Sequence, residues 1–213
     1  MVTASRCVLM ALGLTLTLAT PALAGSYYDE SIYGDLQSDN TQPPTALSFS
    51  GGANQVIGTT YGPRTAPDRD FFTFTVPVGG NLSSILVVDA VGQGPGQQEF
   101  ISINAGSAAP NPLPTNAAST KSALLGYWHF SASDDGTDIL QEMGSTGRVS
   151  GVDPAGFIGS LPAGQYTIWI QDTAGDADHR STYNLVFNIP EPATGVLALA
   201  GLSAIAAIRR RRR

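Results

Sequence analysis

The chain has 213 residues and a formal net charge of −6, which leaves room for one ordinary domain and its terminal segments. The charge is distributed unevenly, because residues 25–188 hold sixteen acidic and five basic side chains, a net charge of −11. Such a surface repels nucleic acids and other polyanions and attracts divalent cations or basic partners. The composition therefore argues against nucleic-acid binding.

Residues 1–24 have the pattern of a secretory signal peptide. Arg6 precedes the uncharged run CVLMALGLTLTLA, and Ala22 and Ala24 are the small residues expected at −3 and −1 of a cleavage site. We predict that signal peptidase cleaves after Ala24 and that the remaining chain is exported. Cleavage also removes Cys7, the only cysteine, so the mature protein is expected to have no disulfide and no thiol nucleophile.

The exported body is predicted to be all-β. A polar, turn-rich lead-in over residues 25–45 is followed by FFTFTV (71–76), in which apolar residues alternate with threonine at a period of two. The runs GQYTIWIQD and STYNLVFNI show the same alternation, and Gly, Pro and Asn turns separate the strands. We predict an antiparallel, jelly-roll-like β-sandwich over residues 46–189.

Two stretches of this body resemble the bacterial pre-peptidase C-terminal domain. DRDFFTFTVPVGGNLSSILV (68–87) resembles its Asp-x-Asp, aromatic strand and glycine turn, and LPAGQYTIWIQDTAGDADHRSTYNLVFNI (161–189) resembles its closing hairpin. The resemblance implies a β-sandwich of the kind attached to many secreted peptidases. Residues 88–160 have no counterpart in that pattern and are interpreted as an insertion.

The sequence gives little sign of catalysis. His129 and His179 are the only histidines, and neither belongs to a serine-nucleophile elbow, a metalloprotease pair or a phosphate-binding loop. Two distant histidines do not supply a zinc site. We therefore predict a protein that is not an enzyme and has no obligatory cofactor. A carboxylate pair of the glycosidase type stays open, because aspartates are plentiful and their separations are not visible in a sequence.

Two acidic runs are candidate calcium sites, because calcium prefers closely spaced oxygen ligands in flexible loops. The first, DTAGDAD, contains Asp172, Asp176 and Asp178, and we take it as the better candidate. The second, SDDGTD, contains aspartates at positions 134, 135 and 138. Ordinary turn aspartates would produce the same pattern.

The C-terminal segment combines three features in order. The triplet Pro190, Glu191 and Pro192 precedes sixteen uncharged residues (193–208), which as a helix would span about 24 Å, less than the ~30 Å of a bilayer core. The chain then ends in an arginine cluster that would stay cytoplasmic and orient a membrane helix. Its members are Arg209, Arg210, Arg211, Arg212 and Arg213.

Residues 190–213 resemble the PEP-CTERM sorting signal of Gram-negative bacteria, with Ile189 in place of the usual valine before the motif. The resemblance implies that exosortase, a membrane-embedded enzyme, processes the chain after a stage at the inner membrane. It also implies a destination at the cell surface or in the extracellular matrix of a bacterium that produces exopolysaccharide and forms biofilms. Pro190, Glu191 and Pro192 are then substrate residues of another enzyme and not an active site.

We therefore predict an exported, exosortase-sorted protein with a structural or adhesive role that is linked to exopolysaccharide. Two alternatives stay open, a calcium-stabilised carbohydrate-binding module and a secreted hydrolase that uses carboxylates. Sugar stacking needs four aromatic side chains on a concave sheet face, and hydrolysis needs two carboxylates that face one cleft. A structural role is favoured if the aromatics are all buried and no cleft exists. These side chains are Tyr127, Trp128, Tyr166 and Trp169.

Overall fold

The computed structural model describes residues 25–62, 67–92, 98–110, 124–145, 155–173 and 179–191. These residues form nine strands, two short α-helices and a 3₁₀ turn at Ala132–Asp134. The strands are β1 (Tyr27–Asp29), β2 (Thr45–Ala46), β3 (Gly52–Tyr61), β4 (Arg69–Leu82), β5 (Ser84–Gly92), β6 (Glu99–Ala105), β7 (Gly126–Phe130), β8 (Leu161–Asp172) and β9 (Arg180–Ile189). The helices are α1 (Glu30–Tyr33) and α2 (Leu140–Ser145).

The strands form a four-stranded sheet in the order β1-β3-β9-β5 and a five-stranded sheet in the order β2-β4-β8-β6-β7. This confirms the all-β class. The prediction of purely antiparallel pairing is wrong for β1 and β2, which pair parallel with β3 and β4. No hairpin joins either pair, and the long connection between β1 and β3 permits the parallel arrangement.

The core lies between the two sheets and follows the predicted alternation. Phe72, Phe74 and Phe187 are almost completely buried, and they come from both sheets. The ring of Phe187 in β9 lies 5.7 Å from that of Phe72 and 5.6 Å from that of Phe74 between centroids. Phe49 stacks on Phe74 from the loop before β3, with the ring centroids 4.5 Å apart. Aromatic burial of this kind dominates the energetics of a small core.

The lead-in and the central region are both integral parts of the sandwich. Within residues 25–45, β1 extends the four-stranded sheet and Leu36 is buried in the core. Within residues 88–160, β6 pairs with β8 along its whole length and contributes Ile101 and Ile103 to the core. Residues 88–160 therefore supply β6 and β7 at one edge of the five-stranded sheet, and their removal would leave only three strands in that sheet. Their interpretation as an insertion relative to the pre-peptidase C-terminal pattern stays a prediction.

The predicted signal peptide (1–24) and the predicted membrane segment (193–208) lie outside the described residues. Neither helix that the structure describes has the length and apolar character needed to cross a bilayer.

The aromatic contacts between the sheets generate a first prediction. Replacing Phe187 with alanine should lower the free energy of unfolding by about 3–5 kcal/mol, because the large cavity left between the sheets cannot collapse. Val78→Ala is the matched control, since Val78 is 94% exposed and should change stability by less than about 0.5 kcal/mol. Chemical denaturation measures the free energy of unfolding of both variants and of the wild type. Equal stabilities of the two variants would contradict the assignment of Phe187 to the core.

Candidate functional site

One end of the interior between the sheets is lined with carboxylates. Asp70 in β4, Glu99 in β6 and Asp172 in β8 are 0%, 3% and 2% exposed. Each continues the inward-facing row of its strand, as Asp70 does for Phe72 two residues later. Burying a carboxylate costs free energy unless hydrogen bonds or cations compensate it. The hydrogen-bond partners of these three groups therefore indicate which chemistry this end of the sandwich can support.

Glu99 lies in a pocket of hydroxyl groups. Its Oε2 accepts a hydrogen bond from the Thr60 hydroxyl at 2.9 Å, and Ser181 also hydrogen-bonds to the carboxylate. Its Oε1 has no partner among the described residues. Burial raises the pKa of Glu99 to about 7, against the opposing effect of the hydrogen bonds from Ser181 and Thr60. Glu99 is thus a carboxyl group that titrates near neutral pH.

The pocket beside Glu99 is too small for a substrate. It is lined by Glu99, Phe130, Ser181 and neighbouring residues, and its volume is about 20 Å³. That volume holds about one water molecule, whereas ligand sites typically measure hundreds of Å³. A glycosidase mechanism at Glu99 would require a cleft for a sugar ring, and this pocket does not supply one.

Asp172 and His179 form a buried pair. The Nδ1 atom of His179 hydrogen-bonds to Oδ2 of Asp172, and both side chains lie inside the sandwich. The Nε2 atom of His179 has no partner in the part of the chain that the structure describes, so no nucleophile completes a triad there. Asp176 and Asp178 lie outside the described residues. The calcium site at Asp172, Asp176 and Asp178 therefore stays a prediction.

The three aspartates of the second acidic run accept hydrogen bonds from backbone N–H groups. Asp134 caps the 3₁₀ turn, Asp135 binds the backbone of β5, and Asp138 connects β5 to the start of α2. These contacts are the structural role that turn aspartates commonly have. Their backbone donors are Ser131, Ala90, Ile85 and Leu140, at 2.9–3.0 Å.

A second group of carboxylates was missed by the sequence reasoning. Glu30 at the start of α1, Asp35 in the following turn and Asp70 in β4 each place one oxygen within 4.8 Å of the others. Burial raises the pKa of Glu30 to about 7 and raises that of Asp70 well above its usual value. The inward position of Asp70 could be predicted from the sequence, because it lies two residues before the inward-facing Phe72 in the same strand. The positions of Glu30 and Asp35 were not, because they depend on how the short strand β1 docks.

Tyr183 and Gly58 hold Asp70 in place. The Tyr183 hydroxyl donates a hydrogen bond of 2.7 Å to Oδ2 of Asp70, and the two side chains join the two sheets. Gly58 is the cross-strand neighbour of Tyr183, and a Cβ at position 58 would lie 2.2 Å from the tyrosine oxygen. The glycine therefore provides the space through which the tyrosine ring reaches Asp70.

The four aromatic side chains do not form an open binding platform. Tyr127, Tyr166 and Trp169 are buried, and Trp128 is partly buried against the core. The Trp169 ring packs edge-on against Phe100 with the centroids 4.7 Å apart. Three of the four side chains are therefore unavailable for sugar stacking.

The predicted sorting motif begins where the sandwich ends. Strand β9 lies between β3 and β5 and ends at Ile189, which pairs with Gly52. Pro190 and Glu191 follow it and are exposed. Proline lacks the N–H group needed to continue the ladder, which accounts for the end of the strand. Pro192 and residues 193–213 lie outside the described residues.

The last strand of the β-sandwich leads directly into an exposed Pro-Glu pair. This arrangement is the one expected of a folded domain that is followed by a C-terminal sorting signal. Residues 188–213 match the family model of the PEP-CTERM protein-sorting motif. The chain therefore carries a PEP-CTERM sorting motif, which indicates an exported protein that exosortase sorts to the cell envelope or surface of a Gram-negative bacterium. No curated protein and no solved structure matches the chain significantly. The resemblance of the body to the pre-peptidase C-terminal domain stays a prediction.

The contact between Gly58 and Tyr183 generates a second prediction. Gly58→Ala should displace the tyrosine ring, leave Asp70 without its donor and destabilise the fold by about 2–5 kcal/mol. Gly164→Ala is the control, because a Cβ there would meet its nearest atom at 3.5 Å, an ordinary contact. Thermal and chemical unfolding compare the two variants. A Gly58→Ala protein as stable as Gly164→Ala would show that the ring does not need this space.

The raised pKa of Glu99 generates a third prediction, on pH dependence. The folded state holds this proton more tightly than the unfolded state, so the stabilisation is complete below about pH 4.5 and is lost as the pH rises through about 7. Glu99→Gln should therefore reduce the fall in stability across this window by at most about 1.4 kcal/mol per pH unit. Asp89→Asn, at an exposed position in β5, should leave the slope unchanged. Parallel slopes for the wild type and Glu99→Gln would exclude Glu99 as the titrating group.

Proposed function

We propose that this protein is a structural or adhesive component of the bacterial cell surface or extracellular matrix, has no catalytic activity, and associates with the exopolysaccharide of a biofilm. The observation that carries the proposal is the continuity of β9 with the sorting motif at 188–213. Exosortase sorting would deliver the sandwich itself to the surface, so the outer faces of the sandwich are the surfaces available to a matrix polymer.

The absence of catalysis is supported by the chemistry of the buried acidic end. Asp172 is paired with His179, and Glu99 is bonded to hydroxyl groups beside a water-sized pocket. Among the residues that the structure describes, we find no nucleophile bonded to a histidine and no cleft between two carboxylates. These features fit a binding or structural domain better than they fit an enzyme.

The outer face of the four-stranded sheet offers polar side chains to such a polymer, alternating with apolar ones such as Ile57 and Val186. Gln55 in β3 and Asn184 in β9 point outward and are joined by a hydrogen bond of 2.9 Å. Thr59 and Thr182 are cross-strand neighbours on the same face. Uncharged amides and hydroxyls suit an uncharged, hydroxyl-rich polysaccharide, since the net negative charge of the body opposes an anionic one.

The polar face generates a fourth prediction. In co-sedimentation with extracellular polysaccharide isolated from the host biofilm, Gln55→Ala/Asn184→Ala should bind about tenfold more weakly than the wild type. Thr75→Ala/Gln165→Ala is the matched control, because these exposed residues form a cross-strand pair on the outer face of the other sheet. Equal binding by both double variants would contradict the assignment of the face. Release of reducing sugars during incubation would instead favour the hydrolase alternative.

A further inference from the structure

We propose that Glu30, Asp35 and Asp70 form a calcium site that fastens the N-terminal segment to the sandwich. The site is distinct from the run at Asp172, Asp176 and Asp178. It joins two parts of the chain that are far apart in sequence, since Glu30 and Asp35 belong to the segment around α1 and Asp70 belongs to β4. One carboxylate oxygen from each residue lies within 4.8 Å of the other two, which is close enough for a single ion to contact all three.

A buried carboxylate oxygen without a partner is the independent sign of a missing ligand. Asp70 is completely buried, and its Oδ2 accepts the hydrogen bond from Tyr183. Its Oδ1 has no hydrogen-bond partner within the described ranges. No lysine or arginine of those ranges forms an ion pair with Glu30, Asp35 or Asp70. A cation bound beside this unused oxygen would offset both the desolvation of the buried carboxylate and the repulsion from the two neighbouring carboxylates.

The second ligand is already held in position by the backbone. Oε1 of Glu30 accepts the N–H group of Leu36 at 3.0 Å, and Oε2 accepts that of Thr59 at 2.7 Å. Each carboxylate oxygen has a second lone pair, so both bonds can persist while one oxygen binds an ion. Asp35 is exposed and completes the set from the solvent side, where water molecules can fill the remaining positions.

The ligand set selects the chemical class of the ion. All three ligands are carboxylate oxygens, which are hard donors, and no histidine or cysteine belongs to the group. Calcium accepts six to eight oxygens in irregular geometry, whereas magnesium demands a near-ideal octahedron and keeps most of its own water. A site that combines two fixed carboxylates with one exposed carboxylate therefore fits calcium better than magnesium. Extracellular calcium modules bind with dissociation constants of about 10⁻⁴–10⁻³ M.

Calcium at this site would connect the two sheets. Strand β1 and the Thr59 amide belong to the four-stranded sheet, whereas Asp70 belongs to the five-stranded sheet. Without the ion, ionisation of all three groups would place like charges together at the point where the N-terminal segment docks. The segment would then fasten after export, once the chain meets calcium outside the cytoplasm.

Calcium titration of the full-length chain, purified in detergent, tests the site by calorimetry and by tyrosine-sensitised terbium luminescence. The wild type should bind calcium more tightly than magnesium, and Asp35→Asn should weaken calcium binding at least about tenfold. Asp35 is exposed, so this variant should still fold. Asp89→Asn removes one exposed charge elsewhere and should bind within about twofold of the wild type.

A third variant separates this site from the one predicted in the loop after β8. Asp176→Asn/Asp178→Asn should leave calcium binding at Glu30, Asp35 and Asp70 intact. Loss of binding in that double variant, together with unchanged binding in Asp35→Asn, would overturn the proposal. Failure of the wild type to bind calcium at 10 mM, a concentration about tenfold above the weakest expected dissociation constant, would overturn it as well.

Discussion

The hydrogen bond from Tyr183 to Asp70 is the contact around which the acidic end of the sandwich is arranged. It links the two sheets at the point where the inward-facing row of β4 changes from phenylalanine to aspartate. Gly58 is needed because its missing Cβ makes room for the tyrosine ring. One hydrogen bond does not offset the burial of a carboxylate. In our proposal, a cation bound between Glu30 and Asp70 supplies the remaining compensation.

The sequence predicted those parts of the fold that depend on local alternation. Strand β9 buries the face that its two-residue period predicts. Strands β4 and β8 also bury their predicted faces, but residues on their opposite faces, among them Thr73 and Trp169, are buried as well. The parallel pairing of β1 and β2 was not predictable, because these strands have three and two residues and their partners are chosen by tertiary contacts. The same limit applies to the acidic site. Asp70 is in phase with Phe72, but Glu30 reaches it only after β1 has docked on β3.

The sorting motif and the sandwich have separate roles. Residues 188–213 direct an exported protein to exosortase, and the sandwich is the part that this sorting would present outside the cell. Pro190 and Glu191 follow the last strand at exposed positions, so this Pro-Glu pair is accessible without unfolding β9. In our proposal, the polar outer face then meets the matrix, while the acidic end responds to calcium.

The decisive experiment on the acidic site is a crystal structure of the protein grown with calcium, with anomalous scattering measured. We expect an anomalous peak between Glu30, Asp35 and Asp70, with carboxylate oxygens at about 2.3–2.6 Å and the Tyr183 hydroxyl still bonded to Asp70. A structure without that peak, in which a water molecule or a basic side chain satisfies the buried Asp70, would contradict the proposed calcium site.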